Sequence, residues 1–386
     1  MWRSLASNAF NLIGLMLLFL GGVAIWGKSQ YYSTGPLSEA ICLRVDSGSK
    51  IRTVSENLVK RAAITSAAIF RIGLEYEGKT GQLKAGNFLI EKEASMASIV
   101  LSITQGGANT CGAEVVYKVG INSTQVQVRE MDPETRRFKQ TLSFDLVTGS
   151  PTEFAAVLQT PGLRYRITLA EGISSYRVVE AINQIKILSG TVLEMPLEGS
   201  LSPNSYEVRQ GDDRTALVFK MQAAQISDVR NEWASREKDL PLTDEKDVLI
   251  LASIIEKETG VSSERGLVAS VFINRLNQGM PLQTDPSVIY GITKGERSLG
   301  RGLYKSELTK NTPWNTYLNK GLPPTPISNP GLQSIRAALH PEDTDYVYFV
   351  ADGTGGHAFA KTLKEHNINV AKWREIEAQR KKSEEN

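Results

Sequence analysis

Hydrophobic and polar positions alternate along this chain with three different periods, and each period predicts a different kind of element. Residues 10–26 form an uncharged apolar run of roughly 17 residues, at the short end of what crosses a bilayer. Arg3 precedes it, Lys28 follows it, and Trp26 suits an interfacial anchor. The A-x-A ending of a signal peptidase site is missing. The reading is an uncleaved transmembrane anchor over residues 10–27 with a short cytoplasmic leader, 1–9. No second apolar run of that length follows, so the rest of the chain is expected on one side of the membrane, the extracytoplasmic one.

Beyond the anchor the periods shorten. Residues 43–48 read as a strand into a turn, 51–60 and 66–77 as helices, and 83–90 as a returning strand, giving the order β-α-α-β. A similar order recurs: Tyr165-Arg-Ile-Thr-Leu-Ala-Glu-Gly172, a helix through Val178 to Ile187, and a return strand over 197–206. Between the copies polar and apolar residues alternate (Val115, Tyr117, Val119; Val126, Val128; Leu142, Phe144, Leu146), which predicts a β-rich insertion at about 112–165. A β-α-α-β unit of this size resembles the LysM fold, which in other proteins holds glycans containing N-acetylglucosamine; it can equally serve as a spacer. A charged helix over 212–238 leads to Pro241. The expected division is a LysM-like module with its insertion over 28–240, a mixed α+β domain over 241–372, and a charged tail, 373–386, that frays. The fold class is α+β.

The densest apolar periodicity surrounds Leu251-Ala-Ser-Ile-Ile-Glu-Lys-Glu-Thr-Gly260. Thr243 is the expected N-cap, Asp244 and Glu245 fall in the first turn, and Gly260 is the expected stop. Nearly every residue from Val248 to Ile255 is apolar, so the helix is buried on most sides and Glu256 closes a hydrophobic wall. Desolvation there favours the neutral carboxyl, an acid with a proton to give near neutral pH. Glu258 lies roughly 200° round the helix and, with Lys257, is expected toward solvent or paired with neighbours. A second amphipathic helix, 263–278, ends at Gly279 and completes a helical hairpin.

Polar groups suited to sugar hydroxyls follow. Gln283 and Asp285 precede an apolar run, and Asn315 and Tyr317 lie beside a Pro-rich loop, 321–330, with Trp314 as a stacking platform or core plug. The loop Asp352-Gly-Thr-Gly-Gly-His357 lacks the Walker lysine and the dinucleotide-binding context. A net charge of +2 over 386 residues argues against an electrostatic nucleic-acid binder. His340, His357 and His366, the three histidines, sit in no H-x-x-x-H or H-E-x-x-H arrangement, so neither a metal nor another cofactor is expected. Cys42 and Cys111 form either one disulfide or two buried thiols.

Seven ordered motifs, Leu-Ala-Ser-Ile-Ile-Glu-Lys-Glu-Thr, Val-Phe-Ile-Asn-Arg-Leu, Leu-Gln-Thr-Asp-Pro-Ser-Val-Ile-Tyr-Gly, Trp-Asn-Thr-Tyr, Gly-Leu-Pro-Pro, Ala-Leu-His-Pro and Tyr-Phe-Val-Ala-Asp-Gly-Thr-Gly-Gly-His-Ala-Phe, run from about residue 248 to 370. Together they resemble the YceG-like family of endolytic murein transglycosylases. The chain departs from the family pattern at 199–206 and at Trp314, where relatives carry tyrosine. The resemblance implies a single-pass enzyme of the inner membrane with a periplasmic catalytic domain, acting on nascent peptidoglycan strands, with peptidoglycan synthases as partners. It also implies that the first glutamate of the Glu-Lys-Glu-Thr motif, Glu256, is catalytic.

The chemistry is consistent with one carboxyl. Glu256 would protonate the leaving oxygen and then take the proton of the muramyl C6 hydroxyl, which closes a 1,6-anhydro ring; Gln283, Asp285, Asn315 and Tyr317 would hold the sugars. Two alternatives remain: a hydrolytic muramidase using Asp285 as its second carboxylate, and a non-catalytic, membrane-anchored glycan-binding scaffold.

Overall fold

The apolar run is one long helix, α1 (Trp2–Tyr32), whose segment Leu12–Tyr32 is long and apolar enough to cross a membrane. Leu15, Leu18 and Phe19 on it are exposed. In the computed structural model the described residues are 2–105, 111–160 and 162–384; within them side chains are described from Leu12 onward except at 381, 383 and 384, so the expected leader's charged side chain at position 3 lies outside them, as do residues 385 and 386 of the expected tail. The architecture is mixed α+β. The chain divides into two compact units, one of Met1–Val115, Gln127–Ser143 and Pro151–Arg164, the other of Val116–Val126, Phe144–Ser150 and Tyr165–Asn386.

In the first unit β1 (Ile41–Val45), α2 (Ile51–Lys60), α3 (Ala67–Tyr76) and β2 (Gly86–Ile90) follow one another, and α4 (Met96–Thr104) closes the core. β1 and β2 are antiparallel, with Ile41 opposite Ile90 and Val45 opposite Gly86. The hydroxyls of Ser66 and Ser95 cap α3 and α4 by accepting from Ile69 N and Ser98 N. Leu43, Leu58, Phe70, Leu74, Phe88 and Ile99 fill the interior. Tyr31, in the last turn of α1, joins them; a side chain on Gly73 would fall 2.2 Å from its ring, so only glycine admits it there. Cys42 and Cys111 are disulfide-bonded, with Cα atoms 5.8 Å apart. The alternating stretch forms β3 (Ala113–Val119), β4 (Thr124–Met131) and β5 (Phe138–Asp145), strands that the two units divide, followed by the short α5 (Thr152–Val157).

The second unit continues with β6 (Arg164–Leu169), α6 (Ser175–Gln184), β7 (Ser205–Val208) and α7 (Arg214–Ala234). β6 pairs antiparallel with β7, Thr168 opposite Ser205, in a sheet ordered β5-β4-β3-β6-β7. The return strand expected over 197–206 is confined to its end. Residues 197–204 form no strand, with a turn at Glu198 and Gly199; Glu198 accepts from Ser175 N, and Leu201 N donates to Asn329 Oδ1 instead of to a neighbouring strand.

Helices α8 (Glu245–Glu258), α9 (Arg265–Asn277), α10 (Asp285–Thr293), α11 (Lys305–Leu308) and α12 (Leu332–Leu339) come next, then β8 (Tyr348–Ala351), β9 (His357–Ala360) and α13 (Leu363–Glu384). α8 packs against α7, α9, α10 and α12, which is why Val248, Ile250, Leu251, Ala252, Ile254 and Ile255 are all buried.

Three local expectations change here. Asp244, not Thr243, caps α8 by accepting from Lys246 N and Asp247 N, while Thr243 donates to Asp247; a carboxylate is a stronger acceptor for two amides than a hydroxyl. Thr259 leaves α8 in extended backbone (φ −136°), so Gly260 is no left-handed cap, whereas Gly279 (φ 63°) does close α9. The tail expected to fray continues α13, with Ile376 against Gly353 and Arg380 donating to the Gly353 carbonyl.

Candidate active site

α8 is a greasy rod whose last turn carries three charged residues, and the surrounding elements receive each differently. Glu256 Oε2 accepts from Gly331 N at 2.9 Å, at the N-terminus of α12, and its Oε1 lies 3.5 Å from Arg265 Nη2. The same Arg265 nitrogen is 3.6 Å from Glu171 Oε2. Two carboxylates therefore flank one guanidinium. The Glu256 side chain is 6% exposed and that of Arg265 11%, against 43% for Glu171. The apolar wall expected around Glu256 stops at Ile255; at its carboxyl the groups are a backbone N–H and a cation. Burial raises the Glu171 carboxyl, and the charge of Glu256 adds to it, with Arg265 opposing.

Glu171 reaches this place through a fastened turn. Gly172 N donates to Asn329 O, Asn329 N to Ile173 O, and the fully buried Asn329 side chain donates to the Ile173 carbonyl while accepting from Leu201 N. The Pro-rich loop thus clamps the turn onto the end of α8. A Cβ on Gly331 would stand 2.1 Å from Glu171 Oε1, so only glycine lets the carboxyl approach. Lys257 turns the other way: its Nζ donates to Gly172 O at 3.4 Å, and burial lowers its pKa against the pull of Glu256 and Glu198.

Of the two places expected for Glu258, toward solvent or paired with neighbours, the first is overturned. Glu258 does point away from Glu256, but α8 is enclosed on that side too. Burial pushes its carboxyl up to about 7, with the charge of Asp285 adding and with Thr284, His357 and Arg275 opposing. The buried Thr284 hydroxyl has no other partner. Arg275, from α9, donates to the carbonyls of Val347 (2.7 Å) and Leu282 (2.8 Å) and lies 3.5 Å from Gln283 Oε1. His357 Nδ1 is 2.8 Å from Glu264 Oε2.

The expected sugar-binding residues gather around Glu258 more than around Glu256. Gln283 is exposed, in a left-handed conformation (φ 52°) held by its N–H to Thr316 O. Asp285 is exposed and accepts from Tyr317 Oη at 2.7 Å. Burial and Asp285 both raise the Tyr317 hydroxyl, keeping it a donor. Asn315 is different. It is fully buried, its Nδ2 donating to Leu308 O and Lys310 O and its Oδ1 accepting from Tyr317 N, so it holds the loop. Trp314 offers no open platform either: Lys294 Nζ stands over its ring, and its Nε1 donates to Thr325.

A cleft of about 490 Å³ opens beside the last turn of α8, lined by Gly172, Lys257, Pro286, Tyr290, Arg297 and Ile327. Glu256 itself is not in this lining; a Cβ on Gly172 would lie 3.4 Å from its Cγ. Among the described residues no group of three or more His, Cys, Asp or Glu is placed to hold a metal ion. Sequence reasoning missed Glu171, Arg265 and Arg275. Glu171 stood in the Leu-Ala-Glu-Gly turn that was read only as a repeat, and Arg275 inside the Asn-Arg-Leu motif.

The profile of the YceG-like family matches residues 43–372. The chain belongs to that family. It is 32% identical over 351 residues to a Bacillus subtilis protein named endolytic murein transglycosylase, an alignment covering 91% of this chain and 89% of the relative. A Streptococcus pneumoniae protein of the same name is 26% identical over 345 residues, and there the alignment spans 86% of this chain but 58% of the longer relative. A crystal structure of a YceG-like protein from Listeria monocytogenes is 26% identical, with a TM-score of 0.46 over 86% of this chain and 98% of that one. The glutamate-bearing end of α8, the Arg275 anchor and the Asp285–Tyr317 pair all lie inside the YceG-like region.

Proposed function

We infer that this YceG-like protein is an endolytic murein transglycosylase: it cuts the β-1,4 bond between N-acetylmuramic acid and N-acetylglucosamine within a strand and leaves a 1,6-anhydro end. The observation that carries this reading is the family match over residues 43–372 together with curated relatives of that name. Within it, Glu256 is the acid and base. Its carboxyl is shielded from bulk water and is held by Gly331 N and Arg265, and its Cγ is close to Gly172 of the cleft wall.

The chemistry needs little more from the protein. Protonating the glycosidic oxygen lets the C1–O bond break through an oxocarbenium-like state, and the muramyl C6 hydroxyl then attacks C1. Intramolecular attack replaces a held water, with effective molarities of about 10⁵ M or more in well-oriented systems. Asp285, Tyr317 and Gln283 are exposed or half-buried polar groups suited to hydroxyl and N-acetyl contacts.

The remainder of the chain fits an enzyme working at a membrane. The one long apolar helix among the described residues is compatible with a single-pass anchor; a cytoplasmic leader and a periplasmic body complete the proposed topology. The β-α-α-β unit, residues 41–90, is the proposed LysM-like part of a module over 28–240, the catalytic domain occupies 241–372, and synthases that extend the strand are the proposed partners.

One observation favours a second reading. Glu258 is the buried carboxyl whose pKa stands near 7 and it feels Asp285, an arrangement in which Glu258 would be the acid and Asp285 the second carboxylate of a hydrolytic muramidase. Mass spectrometry of products from purified peptidoglycan strands separates the two. Anhydro-muropeptides, lost about 10²- to 10⁴-fold in Glu256→Gln, support the first; reducing ends that persist in Glu256→Gln and vanish in Glu258→Gln support the second.

A further inference from the structure

Resting on the assignment of Glu256 above, we propose that Glu171 is a second carboxylate of the glycan-cleaving site, holding one catalytic proton jointly with Glu256 across Arg265. Both carboxylates approach the same Arg265 nitrogen, at 3.6 and 3.5 Å. Their oxygens are therefore no more than about 7 Å apart, within the span over which paired carboxylates serve one glycosidic bond. The remaining groups are committed to this geometry. Gly331 is the residue that admits Glu171, and its N–H fixes the far oxygen of Glu256. Arg265 Nε is buried without a hydrogen-bond partner, so the guanidinium is spent on these acids at the cost of one unmet donor.

Division of labour follows from exposure. Glu256 is nearly sealed and both of its oxygens are engaged, whereas Glu171 is 43% exposed, on the turn whose Gly172 lines the cleft. The charged groups around Glu171 are Glu256 from α8 and Arg265 from α9; Lys257 reaches the same turn from its other side, at the Gly172 carbonyl. Burial and the neighbouring Glu256 both favour the protonated form of Glu171, with Arg265 opposing.

The proton inventory closes. The pair starts with one proton, which passes to the glycosidic oxygen as the C1–O bond breaks. The C6 oxygen then bonds to C1, and its proton returns to the pair. Neither solvent nor a co-reactant is consumed.

The test measures kcat and KM of the full chain in detergent micelles on peptidoglycan strands between pH 4 and 9. A one-proton pair gives the wild type a bell-shaped profile, inactive with no proton or with two. Glu171→Gln is expected to lower kcat about 100-fold with KM little changed and to remove one limb of the bell, while Glu171→Asp restores part of the rate and both limbs. A wild-type kcat in Glu171→Gln, or a lowered kcat that keeps the full bell, overturns the proposal. Melting temperatures accompany each variant; should Glu171→Gln fail to fold, the Glu171→Asp profile decides, a bell of unchanged position and height counting against the pair. Activity surviving in Glu256→Gln would instead sink the underlying assignment, so the two failures are distinguishable.

Discussion

Replacing Glu258 with glutamine removes an ionisable group from the interior while nearly preserving its shape. Burial moves this carboxyl from 4.5 in the unfolded chain to about 7 in the folded protein. Each pH unit of such a difference is worth about 1.4 kcal/mol, so the native state holds the proton about 3 kcal/mol more tightly than the unfolded one. Between pH 4.5 and 7 the folded protein binds more protons, and stability must fall as pH rises through that window and level off above it. Glu258→Gln has no proton to lose there. Going from pH 4 to pH 8, wild type is expected to lose about 3 kcal/mol more stability than the variant. Urea unfolding of the full chain in micelles, followed by tryptophan fluorescence, reads this directly, since Trp233 and Trp314 pack against the core around α8. Parallel pH dependences for the two proteins would refute the buried-carboxyl argument.

Two further outcomes follow from the packing. The Cys42–Cys111 bridge spans 69 positions, and loop-closure entropy over such a span predicts that Cys42→Ser with Cys111→Ser costs the first unit about 4 kcal/mol; an unfolding midpoint insensitive to reductant would contradict it. Asn329→Ala strands the Leu201 amide in a buried place and leaves the Ile173 carbonyl only its backbone donor. It should cost about 2 kcal/mol and loosen the turn bearing Glu171, visible as lower kcat even where the protein remains folded at assay temperature.

Much of this was legible locally. The long apolar helix, the glutamate helix and the turn at Gly279 announce themselves because hydrophobic period, caps and glycine φ preferences act over a few residues. The order β-α-α-β was readable for the same reason, and the ordered motifs carried the family. The two cysteines left a disulfide and free thiols equally open, because spacing along the chain says nothing of a 5.8 Å approach between Cα atoms.

Composition and periodicity determined that a helix ends in Glu256, Lys257 and Glu258; they could not assign the company each would keep. That was decided by tertiary structure, which brings Glu171 and Gly331 from distant segments to Glu256, seals Glu258 among Thr284, Arg275 and His357, and turns Asn315 inward to hold its own loop. The physical reason is range. A helix forms from neighbours within four residues, whereas the protonation and reach of a carboxyl depend on which charges and how much water the whole fold leaves within a few ångströms of it.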